Sequence, residues 1–220
     1  MPSDYVFDRS RGERIGLDEA VFCLHKTPRQ IADALSHARA QGVRMLFTRL
    51  APEKAELIAE ELRAGLDYDP ASHTAILGGM PVPRRPTRIA IVTAGTSDSL
   101  VAREAARTLS YYGEGSEIFA DIGVAGLWRL LERRDAIARY PLVIAVAGME
   151  GALFSVLGGL VRSVLIAVPT SNGYGVSAGG RTALEAALGG CAPGLVTVNI
   201  DNGYGAACAA IRILNGFAGR

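Results

Sequence analysis

Ile89-Ala90-Ile91-Val92-Thr93-Ala94-Gly95-Thr96-Ser97-Asp98 passes without a break from apolar residues into small and hydroxyl-bearing ones. The first half shows no polar alternation, the pattern of a strand buried on both faces. Val101, Ala105 and Leu109 then recur at helical spacing, so the stretch reads as strand, tight turn and helix. The unit repeats downstream. Strands are predicted at 89–93, 117–120, 142–147, 164–168 and 195–199, with helices at 98–113, 124–134, 151–162, 176–189 and 205–215. This alternation predicts an α/β fold, a doubly wound parallel sheet in three layers, with the turns at the carboxyl ends of the strands sharing one edge.

A shorter and less regular region precedes it. Residues 1–25 read as irregular and charged. Thr27-Pro28 caps a helical pattern formed by Ile31, Ala34, Leu35 and Ala38 and ending near Gly42. Residues 43–50 read as a buried strand, Pro52 opens a second helix with Leu57, Ile58 and Leu62 on one face, and 73–77 read as another strand. Gly78-Gly79-Met80-Pro81-Val82-Pro83-Arg84-Arg85-Pro86 then packs Gly and Pro too densely for any regular element. Two domains are therefore expected, a small α/β lobe at 1–80 and the regular domain at 81–220.

Composition narrows the function classes. With 49% hydrophobic and 20% charged residues, the chain can bury a core and is not disordered as a whole. A net charge of +1 with scattered Lys and Arg gives no basic stripe, so no nucleic-acid partner is expected. Cys23, Cys191 and Cys208 are odd in number and widely spaced, which fits neither a disulfide framework nor a zinc site and suggests reduced thiols in the cytoplasm. His25, His37 and His73 lack metal spacing. Residues 1–14 have no apolar run, so no secretory signal is expected. The most apolar stretch, 141–169, is interrupted by Glu150 and Arg162, each costing roughly 2.5–3.5 kcal/mol near a bilayer centre, so it reads as buried strands and a helix and no membrane is expected.

The turns carry the chemistry. Thr96, Ser97 and Asp98 open a helix, where unpaired N–H groups and the dipole favour phosphate oxygens; alone, Ser97 or Asp98 could simply cap it. The turn is neither GxGxxG nor a Walker loop, which argues against dehydrogenases and P-loop kinases. Asn172-Gly173-Tyr174-Gly175 follows the fourth predicted strand and Asn202-Gly203-Tyr204-Gly205 the fifth, so the two turns are expected to occupy equivalent places and to present backbone amides to an anion. Glu150, after a wholly apolar strand, is either a proton-transfer group or an ordinary first-turn acid, and Asp121 is equally ambiguous. Cys191 falls in the loop leading into the fifth strand, where a lone Cys is either a small buried hydrophobe or a reactive thiol. Cys208 reads as core.

Gly95-Thr96-Ser97-Asp98, Ala147-Gly148-Met149-Glu150-Gly151, Val168-Pro169-Thr170-Ser171 and the Ala-rich final helix together resemble the PurE-like domain of phosphoribosylaminoimidazole carboxylases, a flavodoxin-like three-layer fold. Glu150 and Ala152 stand in a turn that lacks that enzyme's His. The LarB family, carboxylase/hydrolases of nickel-pincer cofactor biosynthesis, is more similar. It is matched by Gly78-Gly79-Met80-Pro81-Val82-Pro83, Ala120-Asp121-Ile122-Gly123-Val124-Ala125-Gly126, Ser171-Asn172-Gly173-Tyr174-Gly175 and Asn199-Ile200-Asp201-Asn202-Gly203-Tyr204-Gly205, and in the front lobe by Gly16-Leu17-Asp18-Glu19-Ala20.

The resemblance implies that nicotinic acid adenine dinucleotide is carboxylated on its pyridinium ring with CO2 and hydrolysed at the phosphoanhydride. The products are pyridinium-3,5-biscarboxylic acid mononucleotide and AMP. It places the adduct-forming cysteine on Cys191 and the catalytic carboxylate on Glu150. Phosphate binding falls to Thr96, Ser97 and Asp98. The remaining substrate-binding positions are Asp121, Gly148, Met149, Ser171, Asn172, Gly173, Tyr174, Asp201, Asn202 and Gly203. No tightly bound cofactor is implied, although Mg2+ suits the phosphoanhydride, and a homo-octamer with shared sites is expected. Two other readings stand beside this one: a purine-type carboxylase of aminoimidazole ribotide, which needs no cysteine, and a non-catalytic nucleotide-binding module.

Overall fold

A computed structural model describes residues 6–83 and 86–216. The chain divides into two compact units, Met1–Val82 and Pro83–Arg220.

In the first unit, α1 (Arg11–Ile15) and β1 (Ala20–Phe22) lead to α2 (Pro28–Ala40), β2 (Met45–Thr48), α3 (Pro52–Glu56), α4 (Glu60–Arg63), β3 (Leu66–Asp69) and β4 (Thr74–Leu77). Helix α2 begins where the sequence indicates. Thr27 Oγ1 accepts from the Gln30 N–H at 3.2 Å and Gln30 Oε1 from the Thr27 N–H at 2.9 Å, a reciprocal capping box with Pro28 behind it. The sheet order is β1-β2-β4-β3, with β1 and β2 parallel and the other pairs antiparallel.

Three sequence expectations need correction here. Residues 11–15 and 20–22 are not irregular, but a one-turn helix and a three-residue strand are too short to show periodicity. Strand β3 reads Leu-Asp-Tyr-Asp, too polar to announce itself, and exists because it pairs with β4. The helix opened by Pro52 breaks in two. Ile58 is buried, whereas Leu57, expected on the same face, is 72% exposed, and Ala59 is extended.

The second unit follows its prediction closely. Strands β5 (Ile89–Thr93), β6 (Ser116–Phe119), β7 (Leu142–Ala147), β8 (Val164–Pro169) and β9 (Val196–Thr197) alternate with α5 (Ser99–Tyr111), α6 (Leu127–Ile137), α7 (Ala152–Leu160), α8 (Arg181–Gly189) and α9 (Gly203–Gly216). All pairings are parallel, in the order β6-β5-β7-β8-β9. Every residue of β5 and β7 is buried, because helices cover both faces. Ala90, Val92, Val143 and Ala145 meet Leu153, Phe154 and Leu157 of α7 and Leu130 of α6 in one core. The alternate residues, Ile91, Ile144 and Val146, point to the opposite face.

Differences lie at the ends. The fifth strand is only Val196–Thr197, an edge strand shorter than its apolar run. Helix α8 starts at Arg181 after a 3₁₀ segment, because Gly179 and Gly180 adopt φ of +74° and +79°, which a helix cannot include.

Helices α5 and α9 approach so closely that a Cβ on Gly203 would lie 2.3 Å from Val101 O. Gly203→Ala should lower stability by about 1–3 kcal/mol, whereas Gly159→Ala, with open space around it on α7, should be neutral or slightly stabilising. Urea unfolding of both variants measures this, and equal midpoints would contradict the close packing.

Candidate active site

With the order β6-β5-β7-β8-β9, the direction of winding reverses between β5 and β7. Open sheets of this kind receive ligands in the crevice outside the carboxyl ends at that point. Residues 94–98 and 148–151 are its two lips, flanked by 120–126, 170–180 and 198–202.

These turns are fastened to one another. Asp98 is 2% exposed and its carboxylate takes three hydrogen bonds: Gly95 N–H to Oδ2 at 2.9 Å, Thr170 Oγ1 to Oδ1 at 2.7 Å and Asn172 Nδ2 to Oδ1 at 2.9 Å. Asn172 Nδ2 also reaches Ser97 O at 2.9 Å, and Asn172 O accepts from the Met149 N–H at 2.8 Å. The first, third and fourth turns thus form one assembly. Ser171 N–H donates to Asp201 Oδ1 at 2.8 Å, adding the fifth, and Asp121 N–H donates to Thr93 Oγ1 at 3.0 Å, adding the second. Glycine is required where turns touch: a Cβ on Gly148 would lie 2.1 Å from Asn172 O, and one on Gly173 2.4 Å from Ser177 O.

Strain gathers at the same edge. Asp121, Met149 and Asp201 have φ of +57°, +53° and +55°, and each follows a strand of the sheet. Left-handed conformations of non-glycine residues cost on the order of 1–3 kcal/mol and concentrate at functional sites. Asp tolerates this region; for Met149 no sequence signal predicts it.

The structure sorts the expected site residues. Thr96, Ser97, Met149, Glu150, Ser171 and Tyr174 are exposed at the ligand edge, and Gly148, Asn172, Gly173, Asp121 and Asp201 shape it. Asp98 is there as the buried clamp, with both carboxylate oxygens engaged by protein donors. Asn202 and Gly203, expected to line the site, do other work. Asn202 Oδ1 accepts from the Gly205 N–H at 2.7 Å, capping α9, and Gly203 is buried against α5. The two Asn-Gly-Tyr-Gly turns are therefore not equivalent: the first is extended at Tyr174, while the second is already helical from Gly203.

Cys191 is exposed but is not brought to Glu150 within one chain. Register pairs Ala147 with Pro169 at the carboxyl edge and Leu142 with Val164 at the amino edge, and Cys191 precedes β9 on the amino side. A Cβ on Gly158 would lie 2.5 Å from Ala192 Cβ, placing that loop beside the far half of α7. Glu150 sits before the opposite end, roughly 12 Å of helix away. Cys23 is buried in the first unit, where loss of solvent pushes its thiol up to about 12, and Cys208 is half-buried on α9. Sequence reasoning missed Arg129 on α6, whose Nη1 donates to Asp121 Oδ2 at 2.6 Å; separation along the chain gave no periodic clue to the pair. Among the described residues, no three His, Cys, Asp or Glu side chains group as a metal site, and no helix is long and apolar enough to cross a membrane.

Comparison with known proteins agrees with this geometry. Residues 5–78 match the LarB/PurE-like N-terminal domain, and residues 88–218 match the AIR carboxylase domain. An uncharacterized protein of Methanocaldococcus jannaschii, MJ0165, is 44% identical over 121 residues, covering 54% of this chain and 46% of that protein, so the match spans about half the relative's length. The chain belongs to the LarB family, a LarB/PurE-like N-terminal domain joined to a carboxylase domain of the AIR carboxylase type.

Proposed function

We propose that the protein carboxylates the pyridinium ring of nicotinic acid adenine dinucleotide and hydrolyses its phosphoanhydride, releasing AMP and pyridinium-3,5-biscarboxylic acid mononucleotide for nickel-pincer cofactor synthesis. The observation that carries this is the carboxyl edge itself: exposed Thr96 and Ser97 at a helix start, fastened through Asn172 to the turn that presents Glu150, in a LarB-family chain.

A pyridinium ring is electrophilic and offers CO2 no nucleophilic carbon until something adds to it. Cys191 thiolate bonds to the carbon para to the ring nitrogen, and the electron pair moves to the nitrogen, leaving an enamine. The neighbouring ring carbon then bonds to CO2. Glu150 takes the proton from that carbon, the C–S electron pair returns to sulfur, and aromaticity is restored with a carboxylate in place of hydrogen. Water attacks a phosphorus of the phosphoanhydride to release AMP. Any Mg2+ would be held chiefly by phosphate oxygens, as this ion commonly is.

Since Cys191 and Glu150 lie at opposite edges of one sheet, the reacting thiol comes from a second copy, and the working form is a symmetric assembly, an octamer in this proposal, in the cytoplasm. The AIR carboxylase match favours one alternative, a cysteine-independent carboxylase of aminoimidazole ribotide.

Incubation with the dinucleotide and bicarbonate should yield AMP and the doubly carboxylated mononucleotide. Intact-protein mass spectrometry should find the ring adduct on Cys191 and none on buried Cys23. Undiminished carboxylation of aminoimidazole ribotide by Cys191→Ala would favour the alternative instead. Cys191→Ala and Glu150→Gln should each be inactive alone, yet co-assembled in equal amounts they should recover about a quarter of wild-type turnover, since that fraction of shared sites has both groups intact. A mixture as inactive as its parents would rule out the shared site.

A further inference from the structure

Gly190 and Ala192, the residues on either side of Cys191, both lie against α7. A Cβ on Gly190 would come 2.9 Å from Ser155 Oγ, and one on Gly158 would come 2.5 Å from Ala192 Cβ. Ser155 and Gly158 are three residues apart on one helix face, so Cys191 crosses the single turn between them. Gly190 has φ of −70° and ψ of 154°, which any residue adopts, so what its missing side chain provides is the close approach to Ser155. Ser155 is exposed, and its hydroxyl has no hydrogen-bond partner among the described residues. Ser36 of α2 and Thr108 of α5, by contrast, bond back to carbonyls four residues earlier.

The surroundings of Cys191 lack the usual means of making a thiolate, which are a neighbouring His, Lys or Arg, or a helix N-terminus. Helix α7 carries no charged side chain, and Ser155 is its only polar one. Helix α8, whose end leads into the loop, has only Arg181 and Glu185, paired with each other at 2.7 Å. The loop itself, 190–195, reads Gly-Cys-Ala-Pro-Gly-Leu, and Arg162, past the end of α7, is exposed. The Glu150 carboxylate that the proposed mechanism brings from a second copy would oppose ionisation of the thiol. Among the described residues, the donor on α7 beside the loop is therefore the Ser155 hydroxyl.

We propose that Ser155 is a further catalytic residue, whose hydroxyl donates a hydrogen bond to the Cys191 sulfur of the same chain. The proton stays on Ser155. The bond stabilises the thiolate before it attacks the ring, and again when the C–S electron pair returns to sulfur. The ring chemistry rests on the function proposed above; the contact between serine and thiolate does not.

Alkylation of the full assembled protein by iodoacetamide, followed at the Cys191 peptide by mass spectrometry, tests this without the dinucleotide. Near neutral pH, Ser155→Ala should react on the order of tenfold more slowly than wild type, and the difference should vanish in alkaline solution, where the thiol ionises with or without a donor. Gly190→Ala should slow the reaction similarly with the hydroxyl still present, because the added methyl group pushes the loop off α7. Ser155→Thr should recover part of the loss. Thermal unfolding of Ser155→Ala should match wild type, since alanine suits an exposed helix position. In turnover, kcat for carboxylation should fall on the order of tenfold with KM nearly constant. Wild-type alkylation rates in Ser155→Ala, an equal deficit at every pH, or a comparable slowing in Arg162→Gln overturns the proposal. Should alkylation behave as expected while no carboxylated product forms, the role of Ser155 at the thiol stands and the reaction reading falls.

Discussion

The carboxylate of Asp98 lies almost wholly out of water and receives the Gly95 amide, the Thr170 hydroxyl and the Asn172 carboxamide. A buried charge is tolerated only when its hydrogen-bonding capacity is met, so these donors cannot be removed singly without leaving it uncompensated. Because they come from turns far apart in sequence, satisfying one carboxylate also sets the spacing of the ligand edge. Asn172 extends the constraint through its own carbonyl to Met149, next to Glu150. Close contacts at Gly148 and Gly173, and the left-handed backbone of Met149, follow from turns drawn this near to one another.

Sheet polarity imposes the second constraint. In a parallel sheet with helical crossovers, every strand ends at one edge and every return loop enters at the other. Glu150 belongs to the first set and Cys191 to the second, so their separation is a consequence of topology rather than of loop conformation. Under the proposed mechanism this makes assembly a condition of catalysis, with each chain offering a carboxylate to one site and a thiol to another.

Legibility in the sequence followed the length and apolarity of each element. Strands β5 and β7 and helix α2 were readable to within a residue or two, since buried runs and a Thr-Pro cap leave strong local signals. Strand β3 and the short elements before α2 were not, because partners supplied by distant residues create them. The site divided similarly. Thr96, Ser97 and Glu150 could be placed at strand ends by alternation alone, whereas Asp98 as clamp, Asn202 as cap and Gly203 as packing contact depended on what each side chain met in space.

By itself, the sequence determined the α/β alternation, the strands of the main sheet, the turns that could face a ligand and, through its motifs, the family. These are local properties, carried by periodicity and turn chemistry within a few residues. Tertiary structure alone decided the order β6-β5-β7-β8-β9, the burial of Asp98, the pairing of Arg129 with Asp121 and the placing of Cys191 across the sheet from Glu150. Strand order and side-chain partnership arise from contacts between residues tens of positions apart, where packing and hydrogen-bond satisfaction, not local preference, set the outcome.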